Sequence, residues 1–138
     1  MFDVAYTAGT WDLFHIGHLK LLQRAKALAT RLIVGVSTDE LVLSYKHIKP
    51  FVPFEERREI VAALRCVDEV VTQSDELLPV QQLIEIGADV LILGDDWEDS
   101  TLEGIKYMRK NKKLIFLPRT PGVSTSRMKH VLNVRGIR

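Results

Sequence analysis

Phe2-Asp3-Val4-Ala5-Tyr6-Thr7-Ala8 runs directly into Gly9-Thr10-Trp11-Asp12-Leu13-Phe14-His15-Ile16-Gly17-His18. The first seven residues alternate in polarity and are rich in strand formers, so they read as a β-strand. From His18 to Ala29 the period changes. Leu19, Leu22, Ala25, Ala27 and Leu28 fall near one face of a helix, while Lys20, Arg24 and Lys26 turn elsewhere. A strand, a polar glycine-bearing turn and a helix form the opening unit of an α/β fold.

The same alternation continues outward from this unit. Leu32–Ser37, Val67–Thr72, Asp89–Leu93 and Lys113–Leu117 read as further strands, making five. Helical patterns cover Phe54–Leu64, Leu77–Ile86 and Ser100–Lys110, and a last helix is expected from Ser124, a good N-cap, towards Leu132. Right-handed crossovers then favour a doubly wound five-stranded parallel sheet with helices on both faces. Residues 1–138 show no repeat, low-complexity segment or linker, which predicts a single domain.

Ligands in such folds sit beyond the carboxyl ends of the strands, where strand order reverses. Polar and glycine-bearing segments follow four of the five strands. Besides the first, these are Ser37-Thr38-Asp39-Glu40 with the loop Tyr45-Lys46-His47-Ile48-Lys49-Pro50, then Gly94-Asp95-Asp96-Trp97, then Arg119-Thr120-Pro121-Gly122-Val123-Ser124-Thr125-Ser126.

Composition narrows the partners. A net charge of +1 argues against a polyanion such as nucleic acid, yet leaves room for a local nucleotide site. Cys66 is the single cysteine, so no intrachain disulfide forms, and its setting reads as a small buried apolar residue. The amino terminus lacks a basic segment with a long apolar run, and no stretch is long and apolar enough for a membrane span. A cytoplasmic protein is expected.

His15 and His18, three residues apart at a helix start, project from one face, and Gly17 opens the backbone between them. Helix N-termini favour anions, so two imidazoles there suit phosphate oxygens and the charge that develops when a phosphorus–oxygen bond breaks. A core histidine pair or half of a zinc site are the alternatives, and zinc would need further ligands. Neither Gly-x-Gly-x-x-Gly nor Gly-x-x-x-x-Gly-Lys-Ser/Thr is present, which disfavours a dinucleotide oxidoreductase or a P-loop NTPase. Arg119 to Ser126 reads as a second phosphate cradle, or otherwise as a capped helix beside a basic residue. Lys46 and Lys49 lie in a loop that could close over a triphosphate, where solvated surface lysines are the alternative.

Gly9-Thr10-Trp11-Asp12-x-x-His15-Ile16-Gly17-His18, joined to Arg119-Thr120-x-Gly122-Val123-Ser124-Thr125, resembles the bacterial glycerol-3-phosphate cytidylyltransferases and their relatives. Gly94-Asp95-Asp96-Trp97-Glu98 adds to the resemblance, which runs over essentially the whole chain. It implies a Rossmann-like nucleotidyltransferase fold that joins CMP from CTP to a small phosphorylated acceptor. Glycerol 3-phosphate leads among acceptors, with a small phosphonate, phosphoethanolamine or phosphocholine behind it. An adenylyltransferase acting on flavin mononucleotide and a non-catalytic nucleotide sensor are the rival readings. A class I aminoacyl-tRNA synthetase shares the His-Ile-Gly-His words, but 138 residues are too few for its tRNA-binding parts.

Carried onto matching positions, the resemblance assigns His15, His18, Lys46 and Arg119 to catalysis. Gly9, Thr10, Trp11, Asp12, Gly17, Asp95, Asp96, Trp97, Thr120, Ser124 and Thr125 are assigned to the nucleotide, and Asp39, Lys49 and Arg57 to the acceptor. It further implies Mg2+ and a homodimer with the segment from Arg57 to Asp68 at the interface. The loop from Tyr45 to Pro53 carries fewer lysines than the glycerol phosphate enzymes and one extra residue before Phe54-Glu55-Glu56-Arg57.

Overall fold

The computed structural model describes residues 1–119 and 130. Five strands, β1 (Phe2–Gly9), β2 (Ala29–Ser37), β3 (Glu69–Gln73), β4 (Val90–Gly94) and β5 (Lys113–Leu117), form one parallel sheet in the order β3-β2-β1-β4-β5. This is the doubly wound sheet expected, and its order reverses between β1 and β4. Five helices accompany it: α1 (Ile16–Ala27), α2 (Asp39–Lys46), α3 (Phe54–Ala62), α4 (Val80–Ile86) and α5 (Glu103–Asn111).

Alternation along the strands divides the core between the two faces. Ala5, Leu32, Val34, Val90 and Ile92 pack with Leu22 and Ala25 of α1 and Val61 of α3. Tyr6, Ile33, Leu91 and Leu93 pack on the other face with Leu83 of α4 and Ile105 and Met108 of α5. Cys66 is half-buried against the first cluster, and burial is the main reason its thiol pKa is pushed up.

Two features correct the sequence reading. Helix α1 begins at Ile16 rather than His18, because His15 is itself the cap. Asp39–Lys46 is a helix that the sequence reading did not assign, and it takes in Tyr45 and Lys46, expected in the loop Tyr45–Pro50; Thr38 caps it through a hydrogen bond from Leu41 N at 3.1 Å, with Asp39 and Glu40 in the first turn. Lys46 is therefore the last residue of a helix, and the connecting loop begins only at His47. The helix expected from Ser124 to Leu132 falls outside the described residues.

Pairing is uneven along the centre of the sheet. β1 pairs with β2 from Phe2↔Ala29 to Gly9↔Val36, but with β4 only at Ala5↔Val90 and Tyr6↔Leu91. Beyond Tyr6 the two central strands part at their carboxyl ends. A crevice opens where strand order reverses.

Candidate active site

That crevice is a cleft of about 420 Å3, lined by residues from the ends of β1, β3, β4 and β5 and from the helix that follows β2. Gly9, Thr10, Trp11, Asp12, His15, Gly17 and His18 come from β1, the following turn and α1, and Tyr45 and Lys46 from α2. Gly94 ends β4, Asp96 and Trp97 follow it, and Arg119 follows β5. The structure thus brings together most of the residues assigned to chemistry from the sequence.

The β1–α1 turn is built under strain. Trp11 and Leu13 hold left-handed backbone angles, φ 59° and 48°, which non-glycine residues rarely adopt. Two anchors flank the strain. Trp11 buries its ring and donates its indole N–H to Gly35 O at 2.9 Å, so that ring is a core strut as well as a cleft neighbour. Asp12, also buried, accepts from Leu13 N at 3.1 Å and from Phe51 N and Val52 N, each at 2.9 Å. One carboxylate therefore holds the β1–α1 turn against the loop that follows α2.

His15 and His18 form a reciprocal cap. Gly17 N donates to His15 Nδ1 at 3.0 Å, and His15 N donates to His18 Nδ1 at 3.2 Å. The rings stack with centroids 3.9 Å apart and planes 22° from parallel. Because each Nδ1 accepts a backbone N–H, the proton of each neutral ring resides on Nε2. Burial lowers the His15 pKa. It pushes His18 down to about 4, with His15 adding to the fall and Asp12 opposing it. Both rings are thus neutral Nε2–H donors at physiological pH, in a helix N-terminus that favours anions.

Lys46 lines the cleft, its Nζ 5.9 Å from the Tyr45 ring centroid, whereas Lys49 is exposed and off the cleft wall. Thr10 Oγ1 lies 3.4 Å from the Tyr45 hydroxyl. Arg119 is largely exposed and faces Asp95 Oδ1 at 3.8 Å, which leaves Asp95 beside the cleft rather than on its wall. Arg24 adds a further cation and ties β5's continuation to α1 through Pro118 O at 3.1 Å. Thr120, Ser124 and Thr125 lie outside the described residues.

Arg57 and Asp39 are placed behind the cleft wall rather than on it. Arg57 is only 1% exposed. Its guanidinium donates to Val52 O at 2.8 Å, Thr10 O at 2.6 Å, Ser37 O at 2.8 Å and Asp39 Oδ1 at 2.6 Å. Asp39 in turn accepts from Phe54 N at 3.3 Å. The pair pins the ends of β1 and β2 and the loop before α3 to one another, where a direct acceptor contact was expected. An arginine in the first turn of an amphipathic helix gives no sign in sequence that it points inward.

Other lining residues were not singled out from the sequence. Gln73 ends β3, the one strand whose following segment looked unremarkable, and it is almost wholly buried. Leu77 and Leu78 supply an apolar wall, Leu78 at a strained φ of 49°. Thr7 Oγ1 is buried on the cleft without a hydrogen-bond partner among the described residues. Within the same residues no three His, Cys, Asp or Glu side chains converge as a metal site.

Comparison with known proteins agrees with this geometry. A family model described as cytidylyltransferase-like matches residues 6–132. The glycerol-3-phosphate cytidylyltransferase of Bacillus subtilis is 40% identical over 123 residues, 89% of this chain and 92% of that protein. The Staphylococcus aureus protein of the same name is 34% identical, covering 91% of this chain and 92% of its own. In fold, the chain resembles a lipopolysaccharide core biosynthesis protein from Thermoplasma volcanium, with a TM-score of 0.72 at 20% identity over 87% of this chain and 99% of the other.

Proposed function

Since the chain belongs to the cytidylyltransferase-like family, we propose that it transfers CMP from CTP to sn-glycerol 3-phosphate, releasing pyrophosphate and giving CDP-glycerol. Relatives of that name match this chain over nearly their whole length. The observation that carries the reading is the His15–His18 pair, two neutral Nε2–H donors held at a helix N-terminus inside the strand-end cleft.

The chemistry follows from charge. The second pKa of a phosphate monoester is about 6, so the acceptor oxygen is already anionic near neutrality and needs no general base. That oxygen attacks the α-phosphorus in line; the bond to the bridging oxygen of the β-phosphate breaks, and pyrophosphate takes the electron pair. Two anions must be brought together and negative charge stabilised at the crowded phosphorus. His15 and His18 offer preorganised donors there, while Lys46 from α2 and Arg119 after β5 approach from opposite sides of the cleft. Gly9, Thr10 and Gly17 let phosphates lie against the backbone. Asp96 and Trp97 flank the nucleoside, and Asp95 holds Arg119.

Mg2+ belongs to this reading as the ion that the triphosphate carries. It would neutralise phosphate charge, held by phosphate oxygens, waters and at most the exposed carboxylate of Asp96. We further assign the chain to the cytoplasm, and to a homodimer through the Arg57–Asp68 segment. No helix among the described residues is long and apolar enough to cross a membrane. Ile60 of that segment is 44% exposed, as an apolar contact residue would be in a lone protomer. Sedimentation of wild type against Ile60→Lys tests the dimer.

Pyrophosphate release with CTP, Mg2+ and a panel of glycerol 3-phosphate, phosphoethanolamine, phosphocholine, flavin mononucleotide and simple phosphonates tests the reaction, with ATP replacing CTP in parallel. Turnover with CTP and glycerol 3-phosphate is expected. Turnover confined to ATP, or to another acceptor, would overturn it.

A further inference from the structure

Cations and imidazoles crowd the part of the cleft around α1, but the wall over the end of β3 is lined by the uncharged Gln73, Leu77 and Leu78. Its centre is Gln73, only 2% exposed and yet part of the cleft lining. Gln73 lies beside Ser37 in the β2–β3 register. Ser37 Oγ donates to Gln73 Oε1 at 3.5 Å, and Gln73 Nε2 donates to the Tyr6 hydroxyl at 3.3 Å. The Tyr6 hydroxyl in turn donates a hydrogen bond to Gln82 Oε1 at 3.2 Å. Leu77 and Leu78 close the wall beside the carboxamide.

A buried primary amide has two N–H donors and two acceptor lone pairs on its oxygen. Ser37 and Tyr6 use one of each. The remaining N–H and lone pair are the polar valence of a group that desolvation would otherwise penalise. Among the described residues every side chain bonded to Gln73 is uncharged, and burial raises the Tyr6 pKa, so this wall stays neutral across the physiological range. A neutral amide with a donor and an acceptor side by side matches an alcohol hydroxyl. It offers an ammonium group no counter-charge.

Position selects which substrate meets this wall. The nucleotide's place is the crevice where β1 and β4 part, flanked by Trp97. Gln73 is two strands away, across β2 from that crevice and on the side from which α2 brings Lys46 to the cleft. An acceptor whose phosphate reaches Lys46 would lay its carbon body towards Gln73.

On the acceptor reading given above, we propose that Gln73 is a specificity-determining residue, whose carboxamide hydrogen-bonds a hydroxyl on the carbon body of the acceptor. The test compares kcat/KM for sn-glycerol 3-phosphate with that for propyl phosphate, which keeps three carbons and the phosphate but lacks both hydroxyls. Wild type is expected to prefer glycerol 3-phosphate by roughly tenfold or more, the value of one neutral hydrogen bond in a buried site. Gln73→Leu should bring the ratio close to one with KM for CTP unchanged. Gln73→Met, of similar length, gives the same readout should leucine fail to fold. An equal loss on both acceptors with the ratio preserved would overturn the proposal and leave Gln73 as support for the sheet end. Wild type that ignores glycerol 3-phosphate but turns over phosphocholine would instead remove the acceptor reading itself, and this proposal with it.

Discussion

His15 and His18 are each other's cap: the backbone N–H of one is bound by the ring of the other, and the two rings stack 3.9 Å apart. Removing His18 therefore deletes a donor and also loosens its neighbour. His18→Ala is expected to lower kcat by about 10²–10³-fold, as loss of a charge-stabilising donor does. The lost cap should cost roughly 1 kcal/mol of stability. Steady-state kinetics beside CTP binding checks this; equal losses in turnover and CTP affinity would reject a transition-state role.

The same ring makes stability depend on pH. His18 titrates near 4 in the folded chain and near the ordinary 6.5 when unfolded. Between those values the unfolded state binds more protons, so stability falls as pH drops from about 6.5 and levels off below about 4. The contribution amounts to at most roughly 3 kcal/mol. Denaturant melts at pH 7 and pH 5 should show the loss, and His18→Asn should reduce it.

Lys46 and Lys49 separate cleanly. Lys46 ends α2 on the cleft and Lys49 is exposed off it. Lys46→Ala should lower kcat/KM by about 100-fold or more, in the range set by loss of one charge-stabilising group, with Lys49→Ala within a few-fold of wild type. Comparable losses would mean that both lysines reach the substrates.

Arg57 gathers four oxygen partners while excluded from solvent. Arg57→Ala leaves Asp39 and three carbonyls without their donor, and should destabilise by about 3–5 kcal/mol. Unfolding in urea measures this. A change below 1 kcal/mol would mean that the pair does not hold the loop.

Gly35→Ala is expected to cost about 1–3 kcal/mol through overpacking. A methyl there would collide with the Tyr6 hydroxyl, which would have to leave Gln73 and Gln82. Chemical denaturation and the acceptor ratio of this variant should move together.

Most of the fold was legible because its signals are local. Alternation in Phe2–Ala8, the change of period after His18 and the apolar runs near Asp89 and Lys113 each identify an element without knowledge of its neighbours. Asp39–Lys46 escaped because eight residues with one buried pair, Leu41 and Val42, give too little periodicity to tell helix from loop. Arg57 and Gln73 escaped for another reason. Polar residues are mostly exposed, and what draws these two inward is a set of carbonyls and hydroxyls contributed from positions up to 67 residues away. His15, Gly17 and His18 were legible as neighbours at a helix start because the whole cap is written within one turn.

The brief pairing of β1 with β4 gives the sheet a seam. Two rungs join the part of the chain that ends with β3 to the part that holds β4 and β5, against seven between β1 and β2. On the proposed function, a nucleotide lying across the gap would stitch the halves together as well as react there. Amides of β1 and β4 that face the gap beyond Tyr6 should exchange with solvent faster than those bonded within the β1–β2 ladder, and slow most when CTP binds. On that outcome, the fissure proposed for the substrate is also the line along which the empty protein breathes.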